Sequence, residues 1–146
     1  MIEKQDLLVL EKLRQDSRKT LTDIGSELDI PVTTVFEKVK KLRRKAIVRY
    51  VDLLSFEKIG FVVKANLMLK VEEKRREKLK DFLIGHKNVN SVFRTNNSFD
   101  FFIEAIFADM KQLDVFCEQL DSFRAKKRMH FVVETLKQEC FSPKQE

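Results

Sequence analysis

Residues 20–50, TLTDIGSELDIPVTTVFEKVKKLRRKAIVRY, constrain the fold more than any other stretch of this chain. Val35, Val39 and Leu42 recur at i, i+4 and i+7 and so share one face of a helix. Thr33, Glu37, Lys40 and Arg44 point the opposite way. From Lys38 to Arg49 there are seven Lys or Arg residues and no Asp or Glu. A helix backed by a core and fronted by short polar and basic side chains is suited to the major groove of DNA.

The residues before this helix complete a helix-turn-helix. Residues 3–15 form a first amphipathic helix, with Leu7, Leu10 and Leu13 on one face and Leu8 beside it. Thr20 is a candidate N-cap for a second helix that ends near Leu28 and buries Leu21, Ile24 and Leu28. Gly25 in its middle costs roughly 1 kcal/mol relative to alanine, so a close backbone approach is expected there. Asp29, Ile30 and Pro31 make the turn, and the next helix runs over residues 32–45. Residues 46–51 alternate loosely and are β-rich, which predicts a strand and a winged variant of the motif.

The second half has a different periodicity. It predicts a strand over 61–71, a helix over 72–84, a strand over 89–95, a turn at Asn96, Asn97 and Ser98, and a strand over 99–107. Asp109 caps a helix to about Phe123 with Leu113, Phe116, Leu120 and Phe123 inward. A basic loop, residues 124–128, precedes a last strand over 129–136. This β-α-β-β-α-β order is the ferredoxin-like split arrangement. Two helices cover one face of its sheet and leave the other bare, carrying alternate residues such as Lys64, Asn66 and Met68 or their neighbours, so a partner subunit is expected there. The fold class is therefore α+β. A helix-turn-helix domain occupies residues 1–51, a linker 52–60 and a ferredoxin-like ligand-binding and oligomerisation domain 61–146.

Composition narrows the function classes. A hydrophobic content of 43% supports a packed core, and a net charge of +6 favours an anionic partner only weakly. Cys117 and Cys140 stand apart with no histidine at ligand spacing, so two reduced cysteines and no metal site are expected. No apolar run is long enough to span a membrane, and a cytoplasmic location is expected. The sequence contains no nucleophile motif, metal-spaced cluster or phosphate loop, so neither enzyme activity nor a cofactor is expected.

The chain resembles the Lrp/AsnC family of transcription regulators over nearly its whole length. The segments that carry the likeness are IEKQDLLVLEKLRQDSR, LTDIGSELDIPVTTVFEKVKKL and KAIVRY followed by IGF. Three positions depart from the family pattern. Pro31 stands where serine is usual, Lys38 replaces arginine, and Asn97 replaces glycine in the turn Asn97-Ser98-Phe99-Asp100. The resemblance implies a regulator that binds double-stranded DNA, a homodimer through the sheet domains with an octamer as a higher assembly, and an amino-acid or related effector. It implies that Asn97, Ser98 and Asp100 border the effector site. Sirohaem decarboxylases are similar to this family, and an enzyme of that kind has only the isolated His86 and His130 to draw on. A sensor acting through protein contacts is the remaining alternative.

On the second helix of the motif, Thr33, Thr34 and Glu37 are the candidates for base-edge contact. Lys38, Lys40, Lys41 and Arg44, with Arg49 beyond the helix, are the candidates for phosphate contact. Thr20 and Thr22 also lie within reach of backbone phosphate, with capping expected of at least one. Residues 124–128 are expected to be a solvated loop, and His86 and His130 to be surface or structural groups.

Overall fold

The computed structural model describes residues 1–143, which form two compact units. The first comprises residues 1–53 and, from the far end of the chain, residues 136–143. The second comprises Leu54–Thr135.

Three helices build the first unit: α1 (Lys4–Gln15), α2 (Leu21–Leu28) and α3 (Val32–Lys45). Val9, Leu13, Ile24, Val35, Val39 and Leu42 form its core. The Thr20 hydroxyl caps α2 by accepting from the Asp23 N–H at 3.1 Å. Asp29 ends α2 in the left-handed region, φ 54°, which a short polar side chain tolerates. Gly25 is explained by contact: a Cβ there would sit 2.8 Å from the Ile30 carbonyl oxygen and 3.7 Å from the Val32 nitrogen. The turn into α3 thus folds directly onto the middle of α2.

Two expectations change here. The buried stripe of α1 is Asp6, Val9 and Leu13, whereas Leu7, Leu8 and Leu10 are only half-buried. A carboxylate occupies one core-facing position, so the stripe's phase is hidden from a count of apolar residues. Residues 46–51 form no strand, and no described residue of the first unit is in a sheet, so the motif carries no wing. Only Ile47 packs on the core; Val48 is 96% exposed. With no second strand beside it, an extended segment has no ladder to join.

The expected second domain ran to residue 146, but the tail returns to the first unit. The Arg14 guanidinium donates to the Phe141 carbonyl at 2.9 Å and the Glu139 carbonyl at 2.8 Å, and the Ser142 hydroxyl donates to Glu11 at 3.0 Å. Residues 144–146, also within the expected domain, lie outside the described residues.

The second unit opens with a short 3-10 turn at Glu57–Ile59 closed by Gly60 at φ 89°, a conformation that favours glycine. It continues as β1 (Val63–Lys70), α4 (Glu73–Gly85), β2 (Val89–Arg94), β3 (Phe101–Phe107), α5 (Met110–Ser122) and β4 (Lys126–Phe131). The strands lie in the order β2-β3-β1-β4, all antiparallel, as the ferredoxin-like arrangement requires. Ala65, Leu67 and Leu69 of β1 alternate with Phe101, Ile103, Ala105 and Phe107 of β3 to present one face to Leu79, Leu83, Leu113, Phe116 and Leu120. Asp109 caps α5 by accepting from the Gln112 N–H at 2.9 Å.

The opposite face carries Lys64, Asn66 and Met68, each half-buried, as the alternation predicts. It is less apolar than expected, because Lys64 pairs with Glu104 at 2.8 Å beside the rings of Phe93 and Phe102. Strand β4 starts earlier than the sequence implied. Lys126, Lys127 and Arg128 pair with Lys70, Leu69 and Met68, so the second part of the expected basic loop is strand. Strand β4 ends at Phe131, one further ladder bond runs from the Val132 N–H to the Lys64 carbonyl at 2.9 Å, and Val133 and Leu136 are exposed.

Candidate nucleic-acid interface

The apolar stripe of α3 is fully committed to the core: Val35 and Leu42 are inaccessible and Val39 nearly so. The rest of the helix divides into two flanks with different partners.

One flank faces α1. Asp6 is completely buried and accepts from Lys41 Nζ at 2.6 Å, Lys38 Nζ at 3.1 Å and the Glu3 N–H at 2.9 Å. Glu3 also lies 3.4 Å from Lys41 and 3.8 Å from Lys38. Burial alone raises a carboxyl pKa, but the two ammonium groups and the Glu3 N–H outweigh it and hold Asp6 down at about 2. The same pairing raises Lys41 above its ordinary value. The structure therefore places Lys38 and Lys41, both sequence candidates for phosphate, against the first helix, where their charges fasten α3 to α1. Thr34 lies half-buried on this flank.

The other flank is open. Thr33, Phe36, Glu37, Lys40 and Arg44 are exposed and fall within an arc about 100° wide. The side chains of Thr33, Glu37 and Arg44 make no hydrogen bond or ion pair among the described residues, and Lys40 Nζ lies 5.9 Å from the centre of the Phe36 ring. Glu37 is the single carboxylate of α3. Its neighbours can meet phosphate, while its own acceptor oxygens suit the N4 amino group of cytosine. Arg49 is exposed beyond the helix. Arg43 reaches back to Tyr50, its guanidinium 5.6 Å from the ring centre and its Nε donating to the hydroxyl at 3.4 Å.

Sequence reasoning missed Phe36 and Asp6. Phe36 sits off the Val35-Val39-Leu42 stripe, and that offset was the available signal. Asp6 accepts locally from the Glu3 N–H, but its lysine partners stand more than thirty residues away and leave no local signal of its burial. Thr20 is occupied as a cap and also donates to Asp23 Oδ2 at 2.6 Å; Thr22 is exposed.

The candidate effector residues divide likewise. Asn97 adopts φ 63°, the left-handed turn that asparagine tolerates, and both it and Ser98 are exposed. Asp100 is buried, accepting from the Val71 N–H at 2.9 Å and Arg76 Nε at 3.1 Å, with Lys70 Nζ at 3.7 Å. Burial pushes its pKa up, but the Val71 N–H and the cations of Lys70, Arg76 and Arg94 prevail and lower it. Asp100 thus braces the base of the turn. His86 accepts from the Asn88 N–H at 3.2 Å and lies against Phe82 and Phe116, and burial in that apolar setting lowers its pKa. His130 is exposed on β4 beside Asn66. Cys117 and Cys140 are free thiols. Among the described residues, no group of three or more His, Cys, Asp or Glu is placed to hold a metal, and no helix is long and apolar enough to cross a membrane.

Known proteins place this geometry in context. The sequence model of the Lrp/AsnC ligand binding domain matches residues 64–140, more than half of the chain. An HTH-type transcriptional regulator of Pyrococcus abyssi is 25% identical over 142 residues, covering 95% of this chain and 97% of its own. Another from Methanocaldococcus jannaschii is 29% identical, covering 80% and 79%. Among solved structures, a Neisseria meningitidis transcriptional regulator in complex with L-Met superposes with a TM-score of 0.87 at 21% identity, over 94% of both chains. E. coli AsnC gives 0.85 at 16% identity, over 98% and 99%. The helix-turn-helix, the ferredoxin-like unit and the family match agree: the chain belongs to the Lrp/AsnC family of transcription regulators.

Proposed function

We propose that the chain binds specific sequences in double-stranded DNA through the open flank of α3 and so regulates transcription. It works by binding and not by catalysis, in the cytoplasm, as a homodimer that pairs two copies of α3 and assembles further into an octamer. The observation that carries the reading is the division of α3. A buried carboxylate fastens one flank, and the other presents Thr33, Glu37 and Arg44 without a hydrogen bond or ion pair among the described residues, with Lys40 beside the Phe36 ring. Thr33 and Glu37 read base edges; Lys40, Arg44 and Arg49 bind phosphate. Thr34, Lys38 and Lys41 lie behind that surface and support it. The second unit senses an amino acid at a site bordered by Asn97 and Ser98, with Asp100 holding the turn in shape. The regulator names of the relatives and the L-Met complex of the Neisseria protein support this assignment.

The test is selection of bound duplexes from a random library, with and without a panel of amino acids. One inverted-repeat sequence should be enriched, and an amino acid should change its affinity. Replacing Lys40, Arg44 and Arg49 together by alanine should abolish binding while the dimer persists. Recovery of no enriched sequence would overturn the reading.

A further inference from the structure

The open flank of α3 contains one residue with no role in a purely polar interface. Phe36 is 51% exposed and stays outside the core cluster, although Val35 beside it is fully buried. Thr33 precedes it by three positions and Lys40 follows by four, so the ring lies on one ridge between a candidate base reader and a candidate phosphate binder. Lys40 Nζ sits 5.9 Å from the ring centre. An exposed aromatic with the Lys40 ammonium beside it, on a flank that is otherwise mostly polar and charged, is poorly matched to an apolar protein partner. It matches a polyanion that carries apolar groups at a fixed depth behind its charge. Duplex DNA offers one such group in the major groove, the C5-methyl of thymine.

Resting on the DNA-reading function above, we propose that Phe36 is a specificity-determining residue that packs on a thymine methyl group while Lys40 meets the flanking phosphate. Both partners lose apolar surface to water in this contact, and only a base with a C5-methyl provides it. Cytosine and the purines do not, so thymine is preferred at that position in each half-site. Burying one methyl-sized group corresponds to roughly four-fold in affinity.

The experiment uses the full chain and a duplex obtained by selection. Each thymine is replaced in turn by deoxyuridine, which removes the methyl and keeps the pairing edge. Binding is measured at constant salt for the unaltered protein, Phe36→Ala and Phe36→Leu, and each variant's fold is checked by circular dichroism and melting. The unaltered protein should lose roughly four-fold at one thymine per half-site. Phe36→Ala should bind thymine and deoxyuridine duplexes alike at that position, and Phe36→Leu should keep part of the preference. Equal binding of every thymine and deoxyuridine duplex by the unaltered protein would overturn the proposal, and this measurement needs no variant to fold. Methyl discrimination that survives in Phe36→Ala would overturn it too. Failure to bind any duplex would instead remove the DNA-reading function itself.

Discussion

Asp6 and Asp100 are the two buried carboxylates among the described residues, one in each unit, and they are built alike. Each accepts one backbone N–H and has two cations within ion-pair distance: the Glu3 N–H with Lys38 and Lys41, and the Val71 N–H with Lys70 and Arg76. They differ in where those cations come from. Asp6 takes both from α3, the helix proposed to read DNA, and so fixes how that helix lies on α1. Asp100 takes one from β1 and one from α4, at the base of an exposed turn. The same device therefore orients the proposed reading surface in one unit and braces a turn in the other. The comparison also shows that a basic helix is not a basic surface: two of the lysines of α3 are spent inside the unit.

The largest effect should come from removing Asp6. Asp6→Ala leaves Lys38 and Lys41 with only the exposed Glu3 carboxylate as counter-charge, and breaking a buried pair this way costs about 3 kcal/mol. Amide hydrogen exchange should show protection lost at Val9, Val35, Val39 and Leu42 while Leu67 and Ile103 keep theirs. Uniform loss in both units would show that Asp6 does not act within the first unit alone.

Acid should act on the same group. Asp6 titrates at about 2 in the fold against an ordinary 3.8. A lowered carboxyl pKa stabilises the fold above the ordinary value, and that contribution disappears as pH falls toward 2. The α1–α3 contact should weaken by about 2–3 kcal/mol between roughly pH 5 and pH 2. Asp6→Asn should flatten that part of the profile, as followed by exchange or melting across the range.

Asp100→Ala should cost less, about 2 kcal/mol, because Lys70 is more distant and half-exposed. Its effect should appear in the protection of Val71 and Thr95 and in effector response. Unchanged protection at both amides would show that the turn holds itself.

The smallest changes in stability should separate the two flanks of α3. Lys40→Gln and Arg44→Gln should change stability by no more than about 0.5 kcal/mol, yet each should lower the salt dependence of DNA binding by about one charge. Lys38→Gln and Lys41→Gln should do the reverse, lowering stability and leaving the salt slope nearly intact. Equal slopes for all four variants would mean that the Asp6 clamp opens on DNA.

Much of the fold is legible in the amino-acid sequence. Val35, Val39 and Leu42 locate the core face of α3, Thr20 and Asp109 mark helix starts, and Asn97 marks a left-handed turn. All are set by chemistry within a few residues, through side-chain periodicity, an orphan N–H to be capped, or a backbone conformation that few residues accept. The exposed set Thr33, Glu37, Lys40 and Arg44 follows from the same periodicity.

What depends on a partner distant in sequence is decided by tertiary structure alone. Apolar counting misplaces the stripe of α1 because Asp6 occupies a core position, and only the crossing of α1 with α3 brings it to Lys38 and Lys41. Residues 46–51 have the composition of a strand, but a strand forms only where a neighbour supplies its ladder, and none lies beside them in the first unit. The start of β4 at Lys126 is set by the length of β1 and not by its own basic composition. Period, caps and turn residues are properties of local chain geometry and can be read along one dimension. Ion pairing and strand pairing depend on which segments meet in three dimensions.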